Sequence, residues 1–216
     1  MPLALFDLDD TLLKGDCSSL WHHYMVDQGL TDDPDFLKTD KALQDAYHAG
    51  LLDMESYMAF HLSPFKGKKW SQIQQMVEPF VDQVIEPIIY PQARQLLKDL
   101  KNDGYQIMII SASAEQLVDP IARRLGVEQQ LSVLMEFEQG IHTGRTRDVM
   151  TFREGKVLRL QRWLEQHQAT LAGSRFYSDS HNDLPLLEMV DVPVATNPDS
   201  QLTRHATARG WQQLNW

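Results

Sequence analysis

The chain has 216 residues, of which 43% are hydrophobic and 23% charged, and its formal net charge is −10. It is long enough to bury a sizeable core as one domain or as a domain with an insertion, and the single Cys17 excludes an internal disulfide. The negative charge argues against nucleic acid as a partner, and no apolar run approaches the roughly 20 residues that cross a bilayer.

No secretory signal is visible either, so we expect a cytoplasmic protein with no membrane partner. The sequence gives no indication of oligomeric state.

The first element is residues 3–13, which read Leu-Ala-Leu-Phe-Asp-Leu-Asp-Asp-Thr-Leu-Leu. The apolar half is typical of a buried strand, and Asp7 and Asp9 after it lie on one face if the chain stays extended. Carboxylates are costly in a core, but at the end of a parallel strand they face the crevice where α/β sheets bind ligands. A magnesium ion would cancel their repulsion. Taken alone, the stretch fits equally well a turn and a helix cap at Asp9 or Asp10.

Four helices without an intervening strand are predicted next, over residues 15–86. No arginine occurs before Arg94, so this region also differs in chemistry from the rest of the chain. We therefore predict a helical cap domain at 15–86, inserted into a core formed by 1–14 and 87–216. The predicted helix starts are Ser18 or Ser19, Pro34, Asp53 and a capping box from Ser71 to Gln74, with Ala49 and Gly50 ending the second helix.

Strands and helices alternate after the insertion. Such alternation implies an α/β fold with a doubly wound, mostly parallel sheet. Pro79 is expected to kink or divide the fourth helix of the insertion. The predicted strands are 105–110, 133–138, 141–144, 175–178 and 192–196, and the predicted helices begin at Pro91, after Ser113, near Lys156 and at Ser200.

Polar residues follow several of these elements at points that a parallel sheet brings to one edge. They are Asp7 with Asp9, Ser111 after the strand 105–110, Lys156 at a helix start, and the acidic loop 179–183. Each has an ordinary structural explanation, as a helix cap, a solvated lysine or a turn. Their occurrence together and in this order favours a phosphate site.

The segments Asp7-Leu-Asp-Asp-Thr11, Ser111, Lys156 and Asp179-Ser-His-Asn-Asp183 resemble the four ordered motifs of the haloacid dehalogenase (HAD) superfamily, and the resemblance covers 3–183. The insertion resembles the cap of the phosphoserine-phosphatase-like branch. The resemblance implies a Rossmann-like core and a Mg²⁺-dependent phosphomonoester hydrolase that acts through an aspartyl-phosphate. The presence of Asp9 argues against a dehalogenase, because dehalogenases of the superfamily lack an aspartate at that position and a halide leaves without a proton.

The resemblance also implies a role for each site residue. Asp7 is the nucleophile, and Asp9 is the general acid and base. The Mg²⁺ ligands are Asp7, the carbonyl of Asp9 and Asp179, with Asp183 acting through water, while the phosphate contacts are Lys156, Ser111, the N–H groups of Ser111 and Ala112, and Asn182.

Two departures from the branch bear on the substrate, which we expect to be a small phosphorylated metabolite. Asp16 stands nine residues after Asp7, where phosphoserine phosphatases have a glutamate that meets the substrate amine. Their cap arginine, which clamps the substrate carboxylate, is absent, and an approximate alignment puts His61 in its place. Neither histidine nor lysine reproduces the bidentate fork of arginine. The pattern therefore favours an amine-bearing substrate without a carboxylate.

L-histidinol phosphate is such a molecule, and its imidazole could lie against cap aromatics such as Trp21 or Tyr24. Phosphoethanolamine and phosphocholine fit the same logic, and phosphoserine is a further alternative. Asp16 could also be only a helix cap, with a substrate that has no amine.

Two other classes of protein use similar residues. A receiver-like signalling module has a phospho-acceptor aspartate, magnesium and a lysine on a parallel sheet, but it is shorter and has no large helical insertion. A non-catalytic binding protein is the second alternative, although every catalytic position is filled here.

Overall fold

The computed structural model describes residues 1–48 and 51–216. Its strands are β1 (Leu3–Phe6), β2 (Gln106–Ala114), β3 (Gln129–Glu138), β4 (Ile141–Arg147), β5 (Arg175–Ser178), β6 (Val192–Thr196) and β7 (Gln212–Leu214). They form one sheet in the order β4-β3-β2-β1-β5-β6-β7. Every neighbouring pair is parallel except the β3–β4 hairpin. The predicted α/β fold with a mostly parallel sheet is confirmed.

Helices lie between the strands and in the insertion. The α-helices are α1 (Cys17–Asp27), α2 (Phe36–His48), α3 (Met54–Leu62), α4 (Trp70–Phe80), α5 (Pro91–Asn102), α6 (Glu115–Arg124), α7 (Glu154–His167), α8 (Leu184–Leu187) and α9 (Ser200–Arg209). The first four lie between β1 and β2, as predicted. The predicted end of the second helix at Ala49 and Gly50 is outside the described residues. Across residues 1–48 and 51–216, no helix has both the length and the apolarity needed to cross a membrane.

The helix starts in the insertion differ in detail from the predicted ones. Asp16, rather than Ser18 or Ser19, caps α1, because its carboxylate accepts the Ser19 N–H at 2.7 Å. Asp53 caps α3 as predicted. The capping contact of α4 joins the Lys69 N–H to Gln72 Oε1, two residues before the expected box.

Pro79 does not divide α4, which continues through Phe80 into a π-helix over Val81–Ile85. A helix tolerates proline where a neighbouring irregular turn accommodates the lost backbone hydrogen bond.

Three predicted strands were too short and one strand was missed. β3 begins at Gln129, four residues before the predicted start at 133. β2 continues four residues beyond 110, so Ser111 and Ser113 lie within its last residues. β4 extends to Arg147. Residues 211–216, predicted as a tail, contain β7, a short edge strand that pairs with β6.

The sheet separates two apolar clusters. The side chains of β1 alternate between them, with Ala4 and Phe6 in one and Leu3 and Leu5 in the other. The cluster that contains Phe6 also includes Trp21 and other insertion side chains, so the insertion and this face of the sheet share one core. The other cluster is closed by side chains of α7, α8 and α9.

The two chain segments that join the insertion to the sheet run side by side. Lys14 N–H donates to the Ile88 carbonyl at 2.8 Å, and Tyr90 N–H donates to the Leu12 carbonyl at 3.1 Å. Leu13 and Ile89 form an isolated antiparallel bridge between them. The insertion limits at 15 and 86 remain a prediction, and this paired connection lies next to both of them.

Candidate active site

The central strands bring the predicted acidic residues to one edge of the sheet. Asp7 directly follows β1 and Asp179 directly follows β5, which is the parallel neighbour of β1. The Asp7 N–H donates to the Tyr177 carbonyl at 2.9 Å and so extends this pairing by one residue. β2 borders β1 on its other side and carries Ser111 near its end.

Lys156 connects two of these carboxylates. It lies in the first turn of α7, and its Nζ donates to Asp7 Oδ1 and to Asp183 Oδ2, each at 2.7 Å. Ser178 Oγ also donates to Asp183 Oδ2 at 2.7 Å. Burial alone would lower the pKa of Lys156, but Asp183 and Asp7 raise it above its usual range. The ammonium is therefore charged and holds Asp7 in place.

The same environment acts on Asp7 in the opposite sense. The pKa of Asp7 is raised to about 6 in total, because burial and the charge of Asp183 raise it by more than the charge and hydrogen bond of Lys156 lower it. In the absence of a metal ion, Asp7 is thus an ionised carboxylate above about pH 6.

Asp9 is held by donors of its own. Its Oδ1 accepts the Cys17 N–H at 2.7 Å, and its Oδ2 accepts Ser113 Oγ at 2.7 Å. Burial, followed by the charges of Asp16 and Asp7, raises the pKa of Asp9 to about 8. The Asp9 carboxyl therefore carries a proton at neutral pH, two residues away from a carboxylate that does not.

The predicted phosphate loop lies where β2 ends and α6 begins. Ala112 and Ser113 line the cavity described below. Ser111 is fully buried, and its Oγ accepts the Ser113 N–H at 3.0 Å. Ala112 and Ser113 are thus the residues of this loop that line the cavity. Ser111 is buried beneath them and accepts a hydrogen bond from the Ser113 N–H.

The 179–183 loop brings a second group of polar side chains to the cavity. Thr11 Oγ1 donates to Asp179 Oδ1 at 3.3 Å. Burial, then Asp7 and Asp183, raise the pKa of Asp179 well above its usual range. Asn182 is buried, and its Oδ1 accepts Arg153 Nε at 3.0 Å.

Some of the carboxylates at this edge of the sheet are suitable ligands for a magnesium ion. Among the described residues, no three His, Cys, Asp or Glu side chains are grouped as a metal site. The predicted ligand set needs only two carboxylates, Asp7 and Asp179, plus the Asp9 carbonyl. Hard oxygen donors are what Mg²⁺ prefers, and the charge of Asp7 that raises the pKa of Asp179 is a repulsion that a cation would relieve. The donor chemistry therefore fits Mg²⁺, whereas Asp183 is engaged by Lys156 and Ser178.

A cavity of about 560 Å³ lies between the sheet edge and the insertion. Seven aspartates line it, and Lys156 is the only lysine or arginine in its lining as far as the chain is described. We call the insertion residues in the lining the cap side; they are Asp16, Ser18, Leu43, Gln44, Leu52, Met54 and Tyr57. The remaining lining residues form the core side, with the aspartates Asp7, Asp9, Asp10, Asp179, Asp183 and Asp199.

The two predicted substrate contacts in the insertion have different positions. Asp16 lines the cavity and also caps α1. His61 is fully buried outside the lining, with its Nδ1 2.8 Å from His22 Nε2 and its Nε2 2.8 Å from Gln116 Nε2. Both ring nitrogens of His61 are therefore engaged within the protein rather than at the cavity.

The aromatic rings at the cavity are not the predicted ones. Trp21 is fully buried in the core of the insertion, and neither it nor Tyr24 is among the described lining residues. Tyr57 and Phe152 supply the aromatic surface instead. Nothing in the sequence distinguished these two rings from the other aromatic residues of the chain.

Three hydroxyl groups that contact the aspartates were also missed as functional residues. They are Thr11, Ser113 and Ser178, which donate to Asp179, Asp9 and Asp183 respectively. Thr11 and Ser178 lie within or beside the acidic motifs, so their position offered a signal. Ser113 stands just before a predicted helix, where a serine is explained as a helix cap.

Comparison with known proteins agrees with this geometry. The family model described as haloacid dehalogenase-like hydrolase matches residues 4–188. A histidinol-phosphatase of Neisseria meningitidis serogroup C (strain 8013) is 33% identical, over 99% of this chain and 98% of its own. The phosphoserine phosphatase SerB1 of Mycobacterium tuberculosis (strain ATCC 25618 / H37Rv) is 30% identical, over 97% of this chain and 69% of its own.

Solved structures share the fold. A protein of unknown function from Bordetella pertussis Tohama I is 35% identical with a TM-score of 0.92, covering 99% of this chain and 97% of its own. A substrate-bound phosphoserine phosphatase is 17% identical with a TM-score of 0.71, covering 99% of this chain and 92% of its own, a likeness of fold alone.

Proposed function

This chain is a phosphatase of the haloacid dehalogenase-like hydrolase family, and on that premise we propose that it is a Mg²⁺-dependent phosphomonoesterase for a small amine-bearing metabolite, L-histidinol phosphate in the first place. The similarity to the Neisseria histidinol-phosphatase over nearly the whole of both chains supports this choice. The receiver-like alternative is set aside, because the family match covers 4–188 and describes hydrolases.

The observation that carries the substrate proposal is the charge of the cavity. Seven aspartates face it, and Lys156 is the only lysine or arginine that offsets them in the described lining. A substrate with a carboxylate would bring a negative charge to a lining rich in aspartates, with no guanidinium among the described lining residues to receive it. An ammonium group near Asp16 adds a favourable charge-assisted contact instead. The cavity thus favours a phosphate ester that is cationic at its organic end.

The proposed reaction begins at Asp7. One carboxylate oxygen attacks phosphorus, the bond from phosphorus to the substrate alcohol breaks, and Asp9 gives its proton to the departing alkoxide. Water then attacks the aspartyl-phosphate and returns a proton to Asp9, and the bond to Asp7 breaks to release inorganic phosphate. The hydrogen bonds from Cys17 N–H and Ser113 Oγ orient Asp9 for both proton transfers.

Other residues bind and neutralise the phosphoryl group. Lys156 balances the charge of Asp7 at 2.7 Å, and the N–H of Ala112, which lines the cavity just before α6, would donate to a phosphate oxygen. When bound by Asp7, the Asp9 carbonyl and Asp179, Mg²⁺ supplies positive charge to the phosphate oxygens. The buried Asn182, which lines the cavity, would contribute a further polar contact.

Phosphoethanolamine and phosphocholine keep the cationic end and are the second choice of substrate. Phosphoserine stays as an alternative because of the similarity to SerB1.

The test is hydrolysis of p-nitrophenyl phosphate with Mg²⁺. We expect turnover to fall about 10⁴-fold or more in Asp7→Asn, because the nucleophile is lost, and to be abolished reversibly by a chelator. Asp103→Asn, at an exposed position at the end of α5, is the matched control and should retain activity. Turnover that survives in Asp7→Asn would contradict the assignment of the nucleophile.

A further inference from the structure

We propose that Gln44 is a specificity-determining residue whose side-chain oxygen accepts an N–H from the organic end of the substrate, such as the ring N–H of an imidazole. The inference rests on the proposed function and extends it to a residue of the cap side. It is carried by a buried chain of hydrogen bonds that fixes which end of the Gln44 amide faces Asp40.

The first step concerns the amide nitrogen. Gln44 Nε2 donates to Ser19 Oγ at 2.7 Å and to Asp40 Oδ2 at 2.8 Å, so both of its hydrogens are used. A carboxylate oxygen only accepts, so the nitrogen, and not the oxygen, must face Asp40. Gln44 lines the cavity, and its Oε1 has no hydrogen-bond partner among the side chains that the structure describes, which are those of residues 1–46 and 51–216. The oxygen is thus the end of the amide available to a ligand.

The second step concerns Asp40, which is nearly fully buried. Its Oδ1 lies 2.6 Å from His22 Nδ1, and His22 Nε2 lies 2.8 Å from His61 Nδ1. The chain ends on α6, where Gln116 Nε2 lies 2.8 Å from His61 Nε2. It therefore links α2, α1 and α3 to the helix that follows the phosphate loop.

One set of protons fits these contacts, and it leaves Gln116 Oε1 without a partner among the described residues. The Gln116 N–H donates to His61 Nε2, His61 Nδ1–H donates to His22 Nε2, and His22 Nδ1–H donates to Asp40. Burial, then His22, lower the pKa of His61 well below its usual range, in keeping with a neutral ring. Asp40 is accordingly held as an acceptor, and an acceptor there holds the amide nitrogen of Gln44.

The third step concerns the space beside Gln44. The cap side offers apolar surface from Leu43, Leu52 and Met54, next to the phenol of Tyr57. A flat, mostly apolar ring with one N–H matches this lining, because the ring buries its carbons while the N–H meets the Gln44 oxygen. An N–H donor left unpaired in such a pocket loses binding energy, which makes a single acceptor selective.

The test is calorimetric binding to Asp7→Asn protein with Mg²⁺, which needs no turnover. The ligands are L-histidinol phosphate and its two forms methylated on one ring nitrogen, measured at about pH 8, where a free imidazole is neutral. Methylation of either nitrogen then removes the only ring N–H. We expect the methylated forms to bind roughly tenfold more weakly, the worth of one buried hydrogen bond.

Two further substitutions on the same background should abolish that ratio. Gln44→Leu removes the acceptor. Asp40→Asn keeps the bond from His22 but places an amide nitrogen against Gln44, which then turns its own nitrogen toward the cavity. Asp45→Asn is the matched control, because it makes the same change at an exposed position of α2 and should leave the ratio as it is.

The inference would be overturned if the methylated forms bind as tightly as L-histidinol phosphate to protein that retains Gln44. It would also be overturned if the tenfold difference in affinity persists in Gln44→Leu. Failure of the proposed chemistry is seen separately, as absent p-nitrophenyl phosphate turnover or as turnover that survives in Asp7→Asn. If Asp40→Asn fails to fold, Gln44→Leu at the partly exposed cavity wall still decides the question.

Discussion

The core side and the cap side of the cavity differ in the kind of interactions that their side chains make. On the core side, buried charges are joined to one another, as where Lys156 bonds Asp7 and Asp183. On the cap side, Asp16 is the only charged residue, and it lies among neutral donors, acceptors and apolar groups. We propose that charge on the core side acts on the phosphoryl group that all substrates share, and that the cap side contacts the part in which substrates differ. The chemistry and the choice of substrate should therefore be separable by mutation.

The largest expected effect is on the core side, at Lys156. Lys156→Met leaves Asp7 and Asp183 buried without a cation, so we expect turnover of p-nitrophenyl phosphate to fall about 10³-fold. The free energy of unfolding should fall by about 3 kcal/mol, because breaking a buried pair leaves an uncompensated charge. Activity assays and urea denaturation measure the two effects, with Lys98→Met on the exposed face of α5 as control. Near-normal turnover would show that the lysine is dispensable for phosphate chemistry.

A smaller and more selective effect is expected on the cap side, at Asp16. Asp16→Asn removes the charge but keeps a good helix cap, so the ratio of kcat/KM for histidinol phosphate to that for p-nitrophenyl phosphate should fall roughly thirtyfold, or about 2 kcal/mol. Asp53→Asn is the matched control, because Asp53 caps α3 in the same way and lies outside the cavity lining. An unchanged ratio in Asp16→Asn would mean that Asp16 is a helix cap and no more.

The third effect distinguishes a structural histidine from a substrate contact. His61→Leu removes the partners of His22 Nε2 and of the Gln116 amide. We expect the free energy of unfolding to fall by about 2 kcal/mol, because buried polar groups are left unsatisfied. Urea denaturation measures this change, and His23→Leu, at an exposed position on α1, should have little effect. If His61→Leu leaves the free energy of unfolding unchanged and raises KM, His61 is a substrate contact after all.

The core side was largely predictable from the sequence because it depends on local order. Asp7 directly follows an apolar run and Asp179 directly follows the short predicted strand 175–178, and parallel strands bring such positions to one edge. The extension of β2 to Ala114 was not predictable, because Ser111 to Ala114 is too polar and small to look like a strand. Its pairing with β3, in which Ala114 lies opposite Val133, decides it instead.

The cap side was predictable only where it adjoins a motif. Asp16 is fixed by its distance along the chain from Asp7, and it does line the cavity. The positions of His61, Gln44 and Tyr57 depend on how four helices pack, which neither spacing nor residue type specifies. A polar residue such as His61 looks the same in the sequence whether it faces a ligand or a buried partner.

The central claim, that the cavity favours a cationic substrate without a carboxylate, is tested most directly by comparing kcat/KM between substrates. The measurement is kcat/KM with Mg²⁺ for L-histidinol phosphate, phosphoethanolamine and phosphoserine on the unaltered protein. We expect histidinol phosphate to give the highest value, and phosphoserine to be at least about tenfold lower because its carboxylate meets aspartates and no arginine. A phosphoserine value that exceeds the histidinol phosphate value by tenfold, about 1.4 kcal/mol, would contradict the account.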